Sequence, residues 1–160
     1  ARDGFVVIHE WGHAVTDDLN PGLYQVEAAA IHEALSDFLA AVILKSPCIA
    51  PYDAQEVPNR KCLRDLSVGK FYPNDFDGDQ PHLSSVILSG ALWSAGEIIP
   101  PELALETSLE TILRLPKDPT LKSFWTKWMQ VYSRILTERP TLTNKTDELI
   151  QVGHNHGLDQ

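Results

Sequence analysis

Residues 25–45, QVEAAAIHEALSDFLAAVILK, constrain this chain more than any other stretch. They are rich in Ala and Leu and stop at Ser46-Pro47, so the sequence predicts one long helix there. Ala28 to Ile31, Ala34, Leu35, Phe38 and Leu39 make most of that helix apolar. Glu33 and Asp37 nevertheless sit one turn apart on a single face. A carboxylate pair at this spacing ordinarily faces water. In a helix this apolar it needs a partner within the fold, because an unpaired charge is costly away from water.

The partner is found in IHEWGH, residues 8–13. A helix is predicted over GFVVIHEWGHAVTDDL, with an apolar stripe at Val6, Val7, Trp11, Ala14 and Val15 and a stop at Asn20-Pro21-Gly22. His9 and His13 then share a face and can turn one imidazole nitrogen each toward a single ion, with Glu10 beside the open coordination position. Unaided, such a pair is as readily a solvated face as a site. Glu33, twenty residues after His13, supplies the third protein ligand that a zinc hydrolase needs while the fourth position stays with water. Asp37 can accept the outer N–H of a ligating imidazole and fix its tautomer.

The remaining pattern is also helical. Helices are predicted from about His82 to Ile99, from Glu102 to Leu115, over PTLKSFWTKWMQVYSRILTERP, and from Thr143/Asn144 to Gly153 or Gly157. The large residues Leu121, Phe124, Trp125, Trp128, Tyr132 and Ile135 read as core packing. Residues 47–81 have no period and no convincing strand, and are long enough for a loop to be functional, internally folded, or both. Cys48 and Cys62 bracket part of it. In an exported protein they would form a loop-closing disulfide, and without a CxxC partner they do not suggest a metal site. The expectation is one mainly α, bundle-like domain over residues 1–160, the size of a single domain. Its net charge of −9, from 22 acidic and 13 basic residues, argues against nucleic acid and anionic membrane as partners. No signal peptide is present in this chain.

VVIHEWGHAVTD, GLYQ and AIHEALSD, followed by LRDLS at 63–67 and DGDQPHLSSVILSGALW at 77–93, resemble the thermolysin-like zinc metallopeptidases in order and spacing. The resemblance covers residues 5–95, the zinc site and cleft; residues 96–160 share only a general helical composition. It implies one zinc ion on His9, His13 and Glu33, with Glu10 as general base and proton shuttle and Asp37 behind the first zinc histidine. It further implies Tyr24 and His82 as hydrogen-bond donors to the oxyanion and Asp77 as the carboxylate orienting His82. Arg64 would grip the substrate carbonyl beyond the cut, and Val6 and Leu63 would wall the apolar pocket for the residue after it. The chemistry is coherent without the family: peptide hydrolysis needs a polarised carbonyl, a nucleophilic water and donors aimed at the developing oxyanion.

The sequence also departs from that family. His32 stands where Asn is usual, either replacing the amide as a hydrogen-bond partner or intruding as an extra imidazole. Phe5 and Leu44 replace expected calcium carboxylates. DFDGDQ has Gly78 misplaced and Val86 where an EF-hand needs Glu, so it reads as a turn and calcium is doubtful. The segment from Glu33 to His82 is shorter than in the family, and HNH at 154–156 reads as a frayed end rather than a second metal site. The family's N-terminal, sheet-containing half, whose edge strand aligns the peptide, has no counterpart before Phe5. The apolar surface it would leave invites association with that missing half or another chain. The leading expectation is a secreted or extracytoplasmic zinc endopeptidase cutting peptides or proteins before an apolar residue. The alternatives are a zinc-binding helical module without peptidase activity and, more weakly, an aminopeptidase-type relative.

Overall fold

Asp3 begins the first helix, α1 (Gly4–Leu19), by accepting the Phe5 N–H at 2.8 Å. The computed structural model describes residues 2–159. The other oxygen of Asp3 accepts from the Tyr52 N–H at 2.8 Å, so one buried cap also holds α3 (Pro51–Ala54) against the start of α1.

The long apolar segment forms α2 (Val26–Leu44), ended by Lys45 in a left-handed conformation. It runs through the middle of the molecule, between α1 on one side and α4 (Pro81–Ile98) on the other. Pro81 occupies the first turn of α4, where a missing N–H costs nothing. Beyond it come α5 (Pro101–Ile112), α6 (Leu121–Glu138) and α7 (Thr146–Asn155). The expected mainly α class is therefore seen, with seven helices among the described residues.

Residues 47–81 are internally folded. Besides α3 they contain a two-residue antiparallel ladder, β1 (Cys48–Ile49) with β2 (Arg64–Asp65), in which Cys48 faces Asp65 and Ile49 faces Arg64. No strand is expected from the sequence, because two residues are too few for an alternating pattern to register. Cys48 and Cys62 are joined by a disulfide that closes the same loop. DFDGDQ is turn, as expected, with the Gln80 N–H bonded to the Asp77 carbonyl at 3.1 Å.

Two apolar clusters result. The larger joins α2, α4, α5, α6 and α7, and it takes in all six residues of the aromatic stripe. Trp128 is fully buried in it and donates its indole N–H to Ser108 Oγ at 3.0 Å. The smaller cluster, around Phe5, Ala41, Ile49 and Leu66, lies under Val6 and Leu63. The C-terminal end is not frayed: His156 is buried and its Nδ1 bonds the Lys70 carbonyl at 3.0 Å. His154 is exposed and pairs with Asp159. No helix among the described residues is long and apolar enough to cross a membrane. Trp128→Ala removes packing and a hydrogen bond together, and is expected to lower unfolding free energy in urea by about 3–5 kcal/mol.

Candidate metal centre

Helices α1 and α2 can approach closely because residue 12 is glycine. A Cβ on Gly12 would lie 2.8 Å from Ser36 Cα and 3.0 Å from Ser36 Oγ. This contact sits beside His9 and His13 on one helix and Glu33 and Asp37 on the other. The sequence reading passed over Gly12 and Ser36. The available signal was a glycine inside a helical pattern, which costs propensity and often marks a close approach.

His9 Nε2 lies 3.2 Å from Glu33 Oε2, and His13 Nε2 lies 3.6 Å from Glu33 Oε1. Ligand atoms about 2.0–2.1 Å from a tetrahedral zinc stand about 3.3 Å from one another, so both separations suit that ion. His82 Nε2 is also 3.2 Å from Glu33 Oε2, and His9, Glu33 and His82 each offer a ligand atom within 4.8 Å of the others. Glu33 Oε2 is buried and makes no hydrogen bond of acceptable geometry, despite two imidazole nitrogens close by. A buried anionic oxygen so placed, with imidazole nitrogens around it, fits a divalent cation of borderline softness, which would take the place of the imidazole protons.

The second ring of contacts fixes the first. His9 Nδ1 bonds Asp37 Oδ1 at 2.8 Å, and Arg64 forks the same carboxylate through Nε at 2.6 Å and Nη2 at 2.7 Å. Burial would lower the His9 pKa from 6.5, but the Asp37 and Glu33 carboxylates prevail and raise it to about 9. Burial would raise Asp37, yet Arg64 and His9 hold it below the usual carboxylate range. Glu33 is also held low against burial, by the close imidazole of His9 and the charges of His82 and His13. Burial lowers His13, which keeps the lone pair of one ring nitrogen available. The cluster therefore favours positive charge at the point where the carboxylate and imidazoles meet.

Two pockets flank it. One, of about 160 Å³, is lined by Val6, His9, Glu10, Leu63, Arg64 and His82 with Phe5, Ile49 and Ala50 behind them. Glu10 is exposed there, and the smaller apolar cluster sets the positions of Val6 and Leu63. The other, of about 260 Å³, is lined by His13, Asp17, Leu23, Tyr24, Ala29, His32 and Glu33. Tyr24 is exposed, and its hydroxyl donates to Asp17 Oδ1. Ten of the eleven site residues read from the sequence thus line these pockets or, like Asp37, support them.

Asp77 is the exception. Its Oδ1 accepts the Asp79 N–H at 3.0 Å, and among the described residues no hydrogen bond joins it to His82. A short carboxylate in a Gly-containing turn satisfies its own backbone first. Arg64 has a partner that the sequence reading did not assign, the buried Asp37, so its guanidinium is anchored inside the fold as well as facing the pocket.

Comparison of the chain with protein-family models, curated proteins and solved structures finds no match. Gly12→Ala places a methyl group against the α2 backbone and should force the helices apart. The expected result is a loss of about 1–3 kcal/mol in stability, measured by chemical unfolding, with weaker metal uptake by the folded fraction.

Proposed function

We propose that this chain is the zinc-binding catalytic core of a metalloendopeptidase resembling the thermolysin-like family, cleaving peptides before an apolar residue. The observation that carries this reading is the approach of His9 Nε2 to the orphaned Glu33 Oε2 at 3.2 Å and of His13 Nε2 to Glu33 Oε1 at 3.6 Å, with Glu10 beside His9 at the edge of a partly apolar pocket. His9, His13 and Glu33 would hold the ion. When bound, zinc supplies a Lewis acid for the carbonyl and lowers the pKa of water.

The other roles belong to the chain's own side chains. Glu10, a carboxylate open to solvent, takes the proton of the attacking water and passes it to the leaving amine. His82 and Tyr24, one in each flanking pocket, would donate hydrogen bonds to the developing oxyanion, Tyr24 by turning its single hydroxyl hydrogen away from Asp17 Oδ1. Val6 and Leu63 receive the apolar side chain after the scissile bond. Arg64 gives two N–H groups to Asp37 and has others for the substrate carbonyl. Asp77 has no part in orienting His82 in this account. The Cys48–Cys62 disulfide supports an extracytoplasmic setting. A sheet-bearing half or another chain would align the substrate.

A second reading has its own support. If His82, 3.2 Å from Glu33 Oε2, takes the remaining coordination position, the site is closed and the chain is a zinc-binding module that does not hydrolyse peptides. Zinc-reconstituted protein assayed on a quenched peptide, with an apolar residue after the scissile bond, separates the two. The peptidase expects Glu10→Gln to bind zinc normally and lose activity by about 10²–10⁴-fold. It also expects His82→Ala to lose turnover but keep its metal. The module expects no Glu10-dependent cleavage and a His82→Ala variant depleted of zinc.

Either way, elemental analysis should find Glu33→Ala stripped of most zinc and His154→Ala fully loaded. Equal loading of the two would sink the ligand assignment. Cleavage that requires a free terminal amine would point instead to an aminopeptidase.

A further inference from the structure

His32 stands immediately before Glu33, and both of its ring nitrogens are engaged. It is buried and lies edge to edge with His13, the ring planes 18° apart and the centroids 4.6 Å apart. The two Nδ1 atoms are separated by 2.6 Å. Two nitrogens on one tetrahedral zinc would stand about 3.3 Å apart, so this contact is a proton shared between rings rather than a shared ion. His32 therefore does not intrude as an extra ligand.

The direction of that hydrogen bond follows from the far end. His32 Nε2 is 3.1 Å from Asp17 Oδ1, and an ionised carboxylate can only accept. The proton thus sits on His32 Nε2, which leaves a lone pair on Nδ1 of the neutral ring. His13 Nδ1–H donates into it, and His13 Nε2 keeps its lone pair facing Glu33 Oε1 at 3.6 Å. Ser36 Oγ, 3.1 Å from His13 Nδ1, gives its own hydrogen to the His32 carbonyl and so can serve only as a weaker second acceptor. The Asp17 oxygen that receives His32 also receives the Tyr24 hydroxyl.

We propose that His32 and Asp17 form a hydrogen-bonded relay that fixes the tautomer and ring angle of His13, as positioning residues for the metal centre, and that Tyr24 is tied to the same relay through Asp17. The inference rests on the proposed role of His13 as a ligand. Groups behind a ligating histidine typically change metal affinity about 10–100-fold when removed.

The test combines zinc affinity, from chelator competition, with nitrogen-15 NMR of the histidine rings at one fixed pH. His32→Leu in a Ser36→Ala background should bind zinc at least about tenfold more weakly than Ser36→Ala alone. His32→Asn, whose amide oxygen can accept the same hydrogen bond, should restore affinity. Asp17→Ala should weaken binding, whereas Tyr24→Phe, which only vacates the shared oxygen, should not. The His13 spectrum should report Nδ1–H in the wild type and a tautomer mixture in the His32→Leu variant. Unchanged zinc affinity and unchanged His13 signals in that variant overturn the relay, as does an Nε2–H tautomer of His13 in the wild type. If the wild-type protein takes up no zinc, the zinc reading alone fails, and the His13 tautomer in metal-free protein decides the relay. Circular dichroism of each variant ensures that affinities are compared between folded proteins.

Discussion

Asp37 lies in the middle of α2 with a carboxylate that no water reaches, and the arrangement around it organises the site. An ionised group so placed is tolerable only if its oxygens are fully occupied, and they are, by His9 from α1 and by the fork of Arg64 from β2. Removing one partner from such a buried pair leaves an uncompensated charge, a defect on the order of 3–5 kcal/mol. Three separate elements are therefore locked to one point, and the His9 ring is held in one orientation. Glu33, one turn earlier, then presents its oxygens where His9, His13 and His82 converge.

The lock works only because the helices carrying it are close. Gly12 brings the α1 and α2 backbones together at Ser36, and the larger apolar cluster holds α2 from behind through α4. The smaller cluster governs the opposite wall of the site. Asp3, capping α1 and bonding α3, and Ile49, paired with Arg64 in the ladder, connect the pocket-lining Val6 and Leu63 to the same framework. The proposed metal ligands and the proposed specificity pocket thus share supports.

Most of this could be read from the sequence where the signal is periodic. The four-residue spacing of His9 and His13, the matching spacing of Glu33 and Asp37, and the stripe on α6 each place side chains on one face of a helix. Boundaries were harder: the fifth helix ends at Ile112 rather than Leu115, and the last starts at Thr146 rather than at Thr143 or Asn144. What stayed hidden depends on contacts between segments distant in sequence. Asp17 as the common acceptor of His32 and Tyr24, Arg64 on Asp37, and the β1–β2 pairing all require the folded geometry. For Asp77 the resemblance implies a pairing with His82, whereas the structure has its Oδ1 accept the Asp79 N–H within its own turn.

The β1–β2 ladder and the Cys48–Cys62 crosslink meet at the base of a chain excursion whose far side, residues 55–61, is entirely exposed. The crosslink at Cys62 and the Leu63 N–H bond to the Ile49 carbonyl at 2.9 Å lie between that excursion and Arg64. The tip of the excursion is consequently a permissive position, where an epitope, a fluorophore or extra length can be accommodated with little disturbance to the residues around Glu33.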